Sequence, residues 1–396
     1  MFLCSVPTSV ILRTLSAVLL AMMLMSFGCN RGPKTSVDQL YASIAPPLKK
    51  PVNELVVETF GPYHQPKLPE TLSEQTVLTS TTPESLQKGR QLYDRYCQQC
   101  HGYSGAGDGA SAKMMWPKPR DFSRGVFKFT STTGLHKATR DDLKRTLEEG
   151  IPGTYMSSFK LLSEEDRDLI VDYLIQMAIR GEAEKALVDE AWAAGFSADD
   201  WEAVGESTEQ QKQFEQDAKA FLEEESDLVL SEATSRANRK WVEASLPEAL
   251  VSPAVKRPAT YAASQANPEV HSAENGRLIY LSEAAQCVSC HGEQGKGDGP
   301  KTKEIHKRPD GSQYERPGLH DDWGLQTTPR NLRSGVYGGG SRPLDLFRRI
   351  HAGIKGSPMP LYGGKALSDE QIWDLVNFIQ ILPDIKDTTV PIPPSG

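Results

Sequence analysis

Cys97-Gln98-Gln99-Cys100-His101 and Cys287-Val288-Ser289-Cys290-His291 decide the reading of this chain. Two thiols three positions apart, with a histidine directly after, form the pattern for covalent attachment of c-type haem. The thiols can add to the two vinyl groups of one macrocycle, and the His can then reach the iron as proximal ligand. The competing readings are a redox dithiol and half of a zinc site. A structural zinc needs four ligands, and neither motif has a second Cys pair in its own part of the chain. The sequence therefore predicts two covalently bound haem c groups with their iron. Cys97, Cys100 and His101 would hold one, and Cys287, Cys290 and His291 the other.

The chain has 396 residues, enough for two or three domains. Its 38% hydrophobic and 24% charged residues are an ordinary globular composition, and a haem would add a large apolar body to each core. A formal net charge of −8 argues against nucleic acid as a partner. Outside the two motifs only Cys4 and Cys29 remain, so no disulfide framework is expected.

Residues 1–29 read as an export signal. Arg13 supplies positive charge, and Leu15 to Phe27 is an unbroken apolar and small-residue run. The run is shorter than the ~20 residues a spanning helix needs. It ends at Ser26-Phe27-Gly28-Cys29, where a small residue before Cys resembles a bacterial lipoprotein cleavage site. Cys29 is then the candidate for lipidation; simple cleavage and a retained anchor are the alternatives. All three place the protein outside the cytoplasm. Residues 30–83, rich in Pro, Thr and Lys with little periodicity, read as an extended Pro-rich tether.

Residues 84–180 and 271–385 read as two haem domains. A helix starting near Pro83-Glu84-Ser85 carries Leu86, Gly89, Leu92, Tyr93 and Tyr96 at helical spacing into the first motif. The last helix opens at Ser163, with Leu169, Ile170, Tyr173, Leu174 and Met177 on one face. Residues 181–270 differ. Between Gly181 and Leu230 there are 15 acidic and three basic residues, with Trp192, Phe196, Trp201, Phe214 and Phe221 recurring among them. This is amphipathic helix followed by a Pro-rich linker. It reads either as a spacer covering a haem domain or as a docking surface for a basic partner. Residues 386–396 read as an extended tail.

The two domains are an internal repeat. Gly89-Arg90-Gln91-Leu92-Tyr93 matches Gly276-Arg277-Leu278-Ile279-Tyr280. Pro119-Arg120-Asp121-Phe122 matches Pro329-Arg330-Asn331-Leu332, and Gly150-Ile151 ahead of Met156 matches Gly353-Ile354 ahead of Met359. Leu162-Ser163-Glu164-Glu165 matches Leu367-Ser368-Asp369-Glu370. These residues resemble class I cytochrome c domains, over about half of the chain. The resemblance implies an all-α fold in which a glycine on the N-terminal helix lets an aromatic on the C-terminal helix approach closely. Gly89 with Tyr173, and Gly276 with Phe378, fit that role. It also implies a distal Met on each iron, and Met156 and Met359 are the positional matches. Met359 sits in the stiff segment Pro358-Met359-Pro360, and His351 is the next candidate there. Arg120 and Arg330, each after a Pro, are candidates for pairing with haem propionates, since guanidinium suits carboxylate geometry. Trp116 and Trp323 are candidates to wall the haem.

The fold expected is therefore all-α: two class I cytochrome c domains in tandem, joined by an acidic helical segment and a Pro-rich linker. Met/His coordination raises the reduction potential of haem iron and fills both axial positions. What remains is single-electron transfer. The expectation is a dihaem cytochrome c of a bacterial periplasm or cell envelope, membrane-tethered through an N-terminal lipid or anchor. It would pass electrons between a redox protein donor and acceptor in a respiratory or dehydrogenase-linked chain, as a carrier rather than an enzyme, with no small-molecule substrate. The alternatives are an electron-transfer subunit of an oxidoreductase complex, or a dihaem peroxidase.

Overall fold

Apolar side chains at helical spacing, interrupted by glycine-rich turns, make nearly all the regular elements among the described residues helices. The structure is a computed structural model that describes residues 36–72, 76–134 and 136–394. Its helices are α1 (Ser36–Ala42), α2 (Pro46–Phe60), α3 (Pro83–Tyr96), α4 (Gln98–His101), α5 (Arg140–Glu149) and α6 (Glu164–Ala193), then α7 (Ala198–Val204), α8 (Thr208–Glu243), α9 (Ser272–Leu281), α10 (Cys287–His291), α11 (Pro343–Ala352) and α12 (Asp369–Ile381). Strands β1 (Leu319–His320) and β2 (Gln326–Thr327) pair antiparallel, Leu319 opposite Thr327.

In the first repeat α3 crosses α6. The Thr82 hydroxyl accepts from the Ser85 N–H to start α3, and Ser163 does the same for Asp166 at the start of α6. Each satisfies a helix-end donor that has no partner inside the helix. Gly89 lies at the crossing: a Cβ there would stand 2.2 Å from the Leu169 carbonyl oxygen. Tyr93 and Tyr173 meet edge to face at 5.3 Å beside it. The second repeat crosses α9 over α12 in the same way. A Cβ on Gly276 would stand 2.0 Å from the Asp374 oxygen and 2.8 Å from Phe378 Cβ. Here the helices are also tied by a buried polar knot. The Asp374 carboxylate accepts from Ser264 Oγ at 2.6 Å, Ser272 Oγ at 2.5 Å and Asn275 Nδ2 at 2.7 Å.

Two expectations change. Residues 30–83 are not an extended tether throughout, because Pro46–Phe60 is a helix whose Leu48, Val52, Val56 and Phe60 are buried in the core of the first repeat. Pro46 and Pro47 occupy the first helical turn, where the missing N–H costs nothing, so these prolines open a helix instead of preventing one. The segment is fixed further by Arg180, whose guanidinium lies 3.9 Å over the Tyr63 ring and donates to the Gly61 carbonyl, and by Tyr41, whose hydroxyl donates to Glu184 at 2.6 Å. Cys29 lies outside the described residues. The second change is at residue 180, which is no boundary. Helix α6 runs unbroken through it, because Gly181 serves a close approach and not a stop. A Cβ there would stand 2.1 Å from the Ser123 carbonyl oxygen.

The acidic helices fold back on the first repeat. Helix α8 buries Leu222, Leu230, Ala233 and Trp241, with Trp241 meeting Phe127 edge to face at 5.9 Å, while its acidic side chains face outward. The linker that follows is held at both ends. Val251 N–H donates to the Ser131 carbonyl at 2.8 Å, and Trp373 Nε1 donates to the Val255 carbonyl at 2.9 Å. Residues 387–394 form no helix or strand but are anchored, with Thr388 and Ile392 buried in the second repeat.

Candidate functional site

Each haem motif sits on a short helix just after the first crossing helix. Tyr93 donates its hydroxyl to the Gly102 carbonyl at 2.8 Å, and Tyr280 donates to Gly292 at 2.6 Å. The glycine-rich loop then folds back over the motif in both copies. Gly107 N–H donates to the His101 carbonyl at 2.9 Å and Gly109 to Cys100 at 3.1 Å; Gly297 donates to His291 at 2.8 Å and Gly299 to Cys290 at 3.1 Å.

The two histidines are held alike. His101 Nδ1 lies 3.0 Å from the Arg120 carbonyl oxygen, and His291 Nδ1 lies 3.1 Å from that of Arg330. A carbonyl only accepts, so Nδ1 carries the proton and Nε2 keeps its lone pair for a metal. Burial pushes His101 down to about 4 and His291 in the same direction, against the pull of those carbonyls. Both rings are therefore neutral at physiological pH, the form that ligates iron. Phe122 stacks on His101 at 4.4 Å.

Cys97 and Cys287 fit thioether attachment better than thiolate chemistry. Burial pushes the Cys97 and Cys287 thiols up to about 12, whereas a zinc ligand or redox nucleophile must ionise. A thioether sulfur is uncharged and suits an apolar wall. The four described cysteines form no disulfide, and among the described residues no group of three or more His, Cys, Asp or Glu could hold a metal ion. The residues present thus fit a covalently attached haem at each motif.

The two methionines lie in turns of one design. Ile151 N–H donates to the Met156 carbonyl at 3.0 Å, and Ile354 N–H donates to that of Met359 at 3.2 Å. Within each turn a hydroxyl, of Thr154 or Ser357, donates to the isoleucine carbonyl and accepts from the methionine N–H. Both methionines are partly buried against the core of their own repeat.

The remaining side chains have these surroundings. The Arg120 guanidinium lies 3.9 Å over the Trp323 ring. That of Arg330 faces Gly153, where an added Cβ would stand 2.7 Å from its Nη1. Both arginines therefore reach the junction between the repeats, and what the sequence missed is that their carbonyls hold the histidines. The matched Pro-Arg pairs were the only signal. Trp323 belongs to that junction too, and Trp116 is half exposed. His351 stacks on Phe347 and lies 3.8 Å from Asp369 Oδ1. His320 stacks face to face on Tyr314 at 3.6 Å, and His306 Nε2 lies 2.8 Å from the Lys301 carbonyl.

An all-α pair of repeats, each presenting two thiols and a carbonyl-oriented His, defines a tandem haem-binding electron-transfer protein. Family models agree: one described as cytochrome c matches residues 273–383, and one described as cytochrome c oxidase, cbb3-type, subunit III matches residues 84–174. The chain belongs to the c-type cytochromes, with two cytochrome c domains in tandem. No curated protein matches it. Among solved structures it is similar to a chain of the Kuenenia stuttgartiensis reducing HAO-like protein complex, 26% identical over 74% of this chain and 95% of that one, with a TM-score of 0.48.

Proposed function

We propose that the protein is an exported dihaem cytochrome c that passes single electrons between a redox donor and a redox acceptor. A bound haem would supply one-electron chemistry between ferric and ferrous iron. The chain's residues do the rest. Cys97 with Cys100, and Cys287 with Cys290, fix each macrocycle. His101 and His291 would offer Nε2 to the iron, and Met156 and Met359 would offer thioether sulfur. A His and a Met held on each iron would leave peroxide and oxygen no place to bind, which favours a carrier over a peroxidase.

The single observation behind this reading is that the His–carbonyl contact recurs in both repeats, each with a hydroxyl-pinned Met turn. Pyridine haemochrome analysis should count two covalent haems per chain. The reduced protein should keep its optical spectrum under carbon monoxide; a shift in one haem's absorbance would instead support an open, enzyme-like site. Attachment to a membrane would come through lipid on Cys29, which follows the apolar run from Leu15 to Phe27. A mature N-terminal mass lacking diacylglycerol would rule that out. A place in a respiratory or dehydrogenase-linked chain, with the acidic outer face of α8 meeting a basic partner, completes the proposal. Its check is the salt dependence of electron transfer with basic and acidic redox proteins.

A further inference from the structure

The segment between the second haem motif and Pro329 is longer than its counterpart in the first repeat, and it projects one aromatic side chain, Trp323, against the first domain. The indole has two neighbours of consequence. On one side is Arg120, its guanidinium 3.9 Å from the ring centroid, and the carbonyl of that same residue holds His101. On the other is Gly356, which opens the Gly356-Ser357-Pro358-Met359 turn. A Cβ added to Gly356 would stand 2.5 Å from Trp323 Cζ3, so indole and backbone are already in contact.

The ring is also fixed in orientation. Its Nε1 donates to Asp121 Oδ2 at 3.1 Å, Arg124 lies 4.8 Å over it, and Arg124 Nη1 donates to the Asp322 carbonyl at 2.9 Å. Two guanidinium groups against one indole is a favourable cation–π arrangement, strengthened where water is excluded. One rigid π system therefore touches the loop that orients the proximal histidine of the first site and the turn that presents the methionine of the second.

We infer that Trp323 is the bridge by which electrons cross between the two haem sites. Tunnelling decays far less through packed covalent and hydrogen-bonded atoms than across a gap, and this route is continuous. It runs from His101 through the Arg120 carbonyl and side chain to the indole, and on to the backbone leading to Met359. With haem bound at both motifs, one electron would leave a ferrous iron and reduce the ferric one; no bond would form or break, no proton would move, and the indole would not itself be oxidised. The reciprocal contact, Arg330 and Val336 against Gly153, brings no aromatic ring.

The inference rests on the proposed presence of two haems, so the haem count comes first; fewer than two in the wild type would sink that reading and the bridge together. The test proper is magnetisation-exchange NMR on half-reduced protein, which reads the rate at which an electron moves between the two sites. Trp323→Leu keeps much of the volume without the ring, Trp323→Phe keeps a ring, and Trp323→Met replaces the leucine variant should that fail to load two haems. The intramolecular rate should fall by about tenfold or more in the leucine variant and stay within about threefold in the phenylalanine variant. The midpoint potentials of both sites should be unchanged in each. A leucine variant with the wild-type rate overturns the inference. So does a slowed rate accompanied by an equal displacement of the potentials in the leucine and phenylalanine variants, because Trp323 would then act by positioning alone.

Discussion

At the scale of single residues, two five-residue words carried most of the site. Cys97, Cys100 and His101, with their second copy, name an attachment chemistry because few other uses need those side chains in that order. The acceptor of each histidine proton was not legible, since any residue can supply a carbonyl; only the folded loop selects Arg120 and Arg330. The matched design of the two methionine turns became readable by laying one repeat on the other. Met359→Ala should open one axial position. Carbon monoxide should then shift one haem's worth of absorbance in the reduced protein, and the potential of that site should fall, since the thioether favours the ferrous state. Spectroelectrochemical titration reads both effects. An unmoved spectrum would remove Met359 from the ligand set and turn attention to His351.

At the scale of elements, the paired crossings were legible because a glycine and an aromatic recur at matched places on helices of clear period. The limits of other helices were not. Proline content hid α2, although its Leu48, Val52, Val56 and Phe60 recur every fourth residue, and Gly181 looked like an end where the helix needs only a missing side chain. Each point can be measured. Gly276→Ala should cost about 1–3 kcal/mol, because the methyl has nowhere to go but into the Asp374 carbonyl. Thermal unfolding followed by circular dichroism gives the figure, and an unchanged midpoint would mean that the helices can part cheaply. Phe60→Ala should cost about 3–5 kcal/mol, as for a large core side chain. If residues 46–60 were a loose tether, urea unfolding would show no change.

At the scale of the whole molecule, the tandem plan was legible and the junction was not, because contacts between repeats leave no periodic trace. Arg145 of α5 pairs with Asp345 of α11 at 2.6 Å, and Lys355 of the second repeat donates to Thr132 Oγ1 of the first at 2.6 Å and to the His136 carbonyl. Burial pushes Lys355 from its ordinary 10.5 down to about 8, partly countered by Asp142 and reinforced by Lys137. The unfolded chain thus binds more protons than the folded one between about pH 8 and 10.5, so this lysine's contribution to stability rises with pH across that window. Subtracting the urea midpoints of Lys355→Met from those of the wild type should isolate the slope; parallel profiles would deny the shift.

The fold-back of α8 has a bearing on modularity. A fragment ended at residue 180 would strip Trp241 from Phe127 and lay bare the inner face of α6, so it should expose apolar surface and bind a dye such as ANS. A fragment beginning at residue 251 keeps its own crossing helices, its polar knot and its anchored tail. The second copy should therefore be the more transferable of the two, and the first should depend on the helices packed around it.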